Sequence, residues 1–67
     1  MLPEHTYIVR FTKHDGKTEE CEHIEKFDAE YHFSQCLEDG DMYQRIELID
    51  RDWKHKTETT LKEKVLA

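Results

Sequence analysis

The chain predicts a two-layer α+β domain of order β-β-α-β-β, with one helix packed on a four-stranded antiparallel sheet ordered 2-1-3-4. Three observations carry this reading. Apolar and polar residues alternate over Thr6 to Lys13 and again over Met42 to Asp50, an apolar stripe at helical spacing lies between them, and the strands divide into two apolar and two charged ones.

In the first strand Tyr7, Val9 and Phe11 fall on one side and Ile8, Arg10 and Thr12 on the other. His14-Asp15-Gly16-Lys17 is a turn signal, and Thr18 to Ile24 reads as a second, more polar strand. A two-residue Asp15-Gly16 turn would set Val9 and Phe11 opposite Glu22 and Glu20. A three-residue loop with a left-handed Gly16 instead pairs Val9 with Cys21, Tyr7 with His23 and Arg10 with Glu20, and this is the expected register.

Phe27-Asp28 opens a helix expected over residues 28–39, with Asp28 as N-cap and Glu30 suited to the positive end of the dipole. Ala29, Phe33, Cys36 and Leu37 form its apolar face, and Gly40 supplies the stop. Met42 to Asp50 is the third strand. Asp50-Arg51-Asp52 then reads as a turn into a fourth strand from Trp53 to about Leu61, which would place Lys56 opposite Glu47, Glu58 opposite Arg45 and Leu61 opposite Met42. The competing reading is a terminal helix from Thr60 with Glu63 completing a capping box. The β-branched Thr57, Thr59 and Thr60 favour the strand.

A right-handed crossover makes strands 2 and 3 run the same way, so inserting strand 1 between them leaves every neighbour antiparallel. Strands 1 and 3 are apolar, as central strands should be. Strands 2 and 4 carry Glu19, Glu20 and Glu22, and Lys54 and Lys56, charges that blunt sheet edges. The helix is expected to cover Tyr7, Val9, Phe11, Cys21, Ile46 and Leu48.

Composition bounds the function. The 67 residues make a single domain, 1–67, with net charge -6. Leu, Ile, Val and Phe number 14, so most are needed to make the core and few remain to wall an active site. The longest apolar run is Tyr7-Ile8-Val9 and no secretory-leader pattern is read, so a soluble cytoplasmic protein with no membrane association is expected. Two cysteines are too few for a disulfide framework, and reduced thiols are expected. Residues 1–43 hold four basic and eleven acidic residues, a net -7, whereas residues 44–67 carry a net +1. That polarity repels phosphate, so no nucleic-acid partner is expected, despite the cluster Arg45, Arg51, Trp53, Lys54 and Lys56.

The sharpest chemical constellation is Cys21 and His23 on strand 2 with His32 and Cys36 on the helix. All four are zinc-ligand types, and i, i+2 on a strand and i, i+4 on a helix each share a face. The spacing matches no established zinc pattern, since each element supplies one sulfur and one nitrogen. The plainer expectation is that both cysteines act as small buried hydrophobes and both histidines are half-exposed. The chain has no phosphate loop, nucleophile elbow or paired Cys and His with an orienting group, so neither catalysis nor a cofactor is expected. Glu19, Glu20, Glu22 and Glu25 read as a solvated face, and the five scattered histidines as ordinary surface residues.

Interaction is what remains. The sheet face away from the helix is expected to show Ile8, Ile24, Tyr43 and Ile49 among Arg10, Thr12, Arg45, Glu47, Lys54 and Lys56, the composition of a binding surface. Ile8, Arg10, Tyr43, Arg45 and Ile49 are its candidate contact residues. The alternative is that the Arg and Lys stems lie across the isoleucines and close a minor core. The expected function is thus a small acidic accessory or interaction module whose partner is another protein or a second copy in a homodimer. A structural zinc protein using Cys21, His23, His32 and Cys36 is the alternative from another class.

Overall fold

The computed structural model describes residues 3–66. Its elements are β1 (His5–Lys13), β2 (Thr18–His23), α1 (Lys26–Glu38), a 3-10 turn (Gly40–Met42), β3 (Tyr43–Asp52) and β4 (Thr57–Val65). The sheet order is β2-β1-β3-β4 with antiparallel neighbours, as predicted.

The first hairpin has the expected register, Tyr7 with His23, Val9 with Cys21 and Arg10 with Glu20. Lys13 N donates to Lys17 O at 2.8 Å and Gly16 N to Lys13 O at 2.9 Å, which closes a three-residue loop. Gly16 has φ of 88°, a conformation an L side chain adopts only under strain.

The helix starts two residues earlier than expected. Glu25 is the N-cap through its extended backbone and makes no side-chain cap bond, so Asp28 lies inside the first turn. There its charge still meets the positive end of the dipole. Ala29, Phe33 and Cys36 are buried against Val9, Phe11, Ile46 and Leu48, with Tyr7, Cys21 and Tyr43 packed around them. Leu37, expected on the same stripe, is 38% exposed at its edge.

The second hairpin differs from expectation in register. β3 runs on to Asp52, and the turn is Trp53 to Lys56. Asp52 Oδ1 accepts from the backbone N–H of Lys54 at 3.0 Å and of His55 at 3.1 Å, while Lys56 takes φ of 55°. Glu58 consequently faces Arg51, not Arg45, and Lys54 and Lys56 lie in the turn instead of on the edge strand. Charge matching is degenerate here because Glu58 meets an arginine in either register. The side-chain turn at Asp52 breaks the tie. The strand continues to Val65, so no terminal helix forms.

Two irregularities reset side-chain direction. Between Thr12 and Lys13 the partner on β3 steps from Arg45 to Tyr43, leaving Gln44 extra, and between Leu48 and Ile49 the partner on β4 steps from Lys62 to Thr60, leaving Leu61 extra. An extra residue reverses which face the following side chains take.

An alanine at Gly16 would add a Cβ with nothing within 4 Å, so backbone strain is its only cost. Gly16→Ala should therefore lower stability by about 1–2 kcal/mol in urea titrations without a change in slope.

Candidate functional site

The sheet face away from α1 is not the exposed apolar surface that the alternation suggested. Ile8 and Ile49 sit opposite each other in the β1–β3 ladder and are 1% and 2% exposed. A lattice of ion pairs lies over them. Arg10 reaches Glu20 at 2.7 Å and Glu58 at 3.5 Å, and Arg51 reaches Glu58 at 2.7 Å and Glu20 and Glu22 at 3.8 Å each. Hydrogen bonds from Arg51, and then the charges of both arginines, hold the Glu58 carboxyl below its ordinary value. The stems of Arg10 and Arg51 thus close a second small core around Ile8 and Ile49.

The remaining candidates scatter. Tyr43 does not join this face. The irregularity at Gln44 turns it to the helix side, where its ring lies 5.0 Å from Phe11 and burial pushes its phenol up. Arg45 stays on the open face, exposed, bonded to Glu63 at 2.6 Å and near Glu47 at 3.5 Å. Ile24, the other apolar residue placed on that face, is exposed beyond the end of β2.

Of the zinc-type residues, the structure brings the two histidines into contact. His23 Nε2 and His32 Nδ1 are 3.0 Å apart, one donating and the other accepting, and His32 lies edge-on to Phe11. Cys21 is half-buried and Cys36 buried, both as free thiols. Burial first, and then the neighbouring Cys21 and Asp39, push the Cys36 thiol up, which keeps it protonated and a poor nucleophile. Among the described residues no three His, Cys, Asp or Glu side chains converge as a metal site.

One group of exposed apolar residues lies at the pole where β1 begins and β2 and β3 end, while Tyr31 on α1 and Met42 and Val65 at the opposite end of the sheet are exposed singly. Pro3, Thr6, Glu22, Ile24 and Trp53 line a groove of about 320 Å³ there. Ile24 is 66% exposed and Trp53 49%, and Phe27, 77% exposed, follows Ile24 in the first turn of α1. The polar atoms of the groove are satisfied by one another: Trp53 Nε1 donates to Thr6 Oγ1 at 2.8 Å, and Thr6 Oγ1 donates to Glu22 Oε2 at 2.9 Å. Trp53 is held from two further sides. Its backbone N–H donates to Glu4 O at 2.8 Å, and the Arg51 guanidinium lies over its ring, 5.4 Å from the centroid. The groove therefore has a fixed wall, a buried hydroxyl floor and a solvent-facing apolar lip. The groove is not legible in the alternation of the sequence, where Trp53 reads as the first residue of a strand and not as part of a turn. The signal available was an aromatic residue immediately after an Asp turn-former, outside any alternation.

Compared with known protein families, curated proteins and solved structures, the chain matches none.

Ile49→Asp should unfold the domain, and Ile49→Val should cost about 0.5–1.5 kcal/mol, the signature of a buried position, measured by denaturant titration. His32 and His5 make stability pH-dependent. Burial, and then the neighbouring His23, lower the His32 pKa from 6.5, so the unfolded chain binds more protons and stability present above that value is lost as pH falls through the folded one. His5 acts oppositely: its hydrogen bond to Asp50, 2.9 Å away, raises its pKa, so its contribution is full below 6.5 and lost as pH rises through the raised value. His32→Gln should flatten the loss of stability between about pH 7 and pH 5, and His5→Gln should steepen it.

Proposed function

We propose that this chain is a non-catalytic protein-interaction module that binds through the groove at the Ile24, Phe27 and Trp53 pole. One observation carries the reading: the β2–α1 and β3–β4 connections bring Ile24 and Trp53 to one groove, with Phe27 nearby in the first turn of α1, and leave them largely in solvent, while Ile8 and Ile49 of the open sheet face are covered. An exposed apolar groove of this kind, with an aromatic wall, is a usual form of a protein contact. The non-catalytic reading rests on the groove's polar groups, Thr6, Glu22 and Trp53 Nε1, which bond to one another and leave a surface of shape and apolar area.

The test is affinity capture from the native host followed by calorimetry with the recovered partner in purified form. Ile24→Asp and Phe27→Asp replace exposed side chains, and the second adds an acid to the first turn of α1, so both should fold like the parent. Each should weaken binding by about tenfold or more. Equal affinity for parent and variants would remove the pole as the binding surface.

A further inference from the structure

We infer that β2 takes up an extended, lysine- or arginine-rich segment of a partner protein as a fifth strand, seating one apolar side chain of that segment against Ile24. This deepens the interaction reading above by naming the partner's chemistry and mode of binding.

The sheet has two open edges, and they differ. β4 carries an irregularity at Leu61 and the cations Lys62 and Lys64, which are the usual devices that discourage an added strand. β2 pairs with β1 without interruption from Thr18 to His23 and carries three carboxylates and no lysine or arginine. Its ladder phase follows from the Lys13 to Lys17 bond: hydrogen-bonded pairs recur every second residue, at Phe11 with Glu19, Val9 with Cys21 and Tyr7 with His23. The N–H and C=O groups of Thr18, Glu20 and Glu22 therefore point outward, a regular template of three donors and three acceptors. No partner for them is found among the described residues.

Charge selects the guest. Glu20 and Glu22 point to the open face with side chains 42% and 49% exposed, and the arginines that approach them, Arg10 and Arg51, come from the β1 and β3 side. The outer side of both carboxylates is left to solvent. A fifth strand with basic residues at alternate positions would lie along them, whereas an acidic strand would set like charges opposite each other. The edge also leads directly into the groove, since Ile24 follows β2. Strand addition of this kind takes affinity from main-chain bonds and selectivity from alternate side-chain sites.

The experiment selects peptides of about nine residues from a random displayed library on the full chain and measures the best binder with ¹⁵N-labelled protein. The expected selection has Lys or Arg at alternate positions and an apolar residue near one end. Slowed hydrogen exchange should appear at the Thr18, Glu20 and Glu22 amides, and affinity should fall as salt is raised. Methylating the peptide nitrogens that face β2 should cost at least about tenfold in affinity, and methylating those on the far side should cost little. Because these substitutions are in the peptide, the folding of the protein is not at issue. Binding that is lost in Ile24→Asp but leaves the β2 amides unprotected and tolerates methylation would overturn strand addition and leave the groove reading standing. Protection of β2 with no response at Ile24 or Trp53 would instead overturn the groove as the seat of the apolar side chain. Acidic selections, or protection confined to β4, would overturn the inference, as would concentration-dependent chains of the protein alone, which would make the basic β4 of a second copy the occupant.

Discussion

A sheet has two faces, the described residues supply one α-helix to cover them, and the rest of the structure follows from that shortage. α1 covers Val9, Phe11, Ile46 and Leu48 on one side. On the other, Ile8 and Ile49 face each other across the two central strands with no second layer available. Leaving them in water would forgo about 1.5–3 kcal/mol apiece, a large share of the stability of a domain this small. The sheet supplies its own cover instead, from Arg10, Arg51, Glu20 and Glu58.

The magnitudes say what this cover contributes. Its side chains are roughly a quarter to two fifths exposed, so each ion pair is worth at most about 1 kcal/mol and is weakened by salt. The larger effect is geometric: Arg10 and Arg51 stand two residues from Ile8 and Ile49 on the same face, and pairing with Glu20 and Glu58 across the sheet directs their aliphatic stems toward the isoleucines. Charge and burial are coupled in this arrangement. The acidic residues on β2 and β4 fix where the arginines lie, and the arginines decide which apolar residues water can reach.

This coupling explains what was legible in the sequence. Alternation fixed the strands, the Gly16 loop fixed the first register, and the Ala29, Phe33 and Cys36 stripe fixed the buried face of α1, because each is a local signal that a single periodicity determines. The second register was not legible, since Glu58 finds an arginine at 45 or at 51 and only the Asp52 side chain, by accepting from two backbone amides, separates the two. The face of Tyr43 was hidden for a related reason: one extra residue, Gln44, reverses it, and alternation read by eye carries no mark of an irregularity. For Ile8 and Ile49 the face assignment was correct and the exposure was not. Exposure depends on rotamers of residues far along the chain, which no local pattern encodes. The contact between His23 and His32 likewise required knowing how the hairpin seats on the helix.

The arginine cover ends where the strands end. Beyond Ile8 and Ile49 the open face gives way to Thr6, and there the connecting segments provide the lining: Pro3 before β1, Ile24 after β2 and Trp53 after β3. Thr6 is 5% exposed and would be a costly buried hydroxyl without partners. Trp53 and Glu22 satisfy it, and in doing so fix the tryptophan ring as a wall. Folding accounts for Trp53 in this way, but it does not account for Ile24 or Phe27, which are mostly in solvent and add little to the core. In a chain with so few large aliphatic and aromatic side chains, a polar residue at either position would fold as well and dissolve better. The placement of Ile24 beside a wall already held rigid means that a guest would lose its own freedom on binding while the protein loses little, the condition under which a small surface can bind a partner selectively.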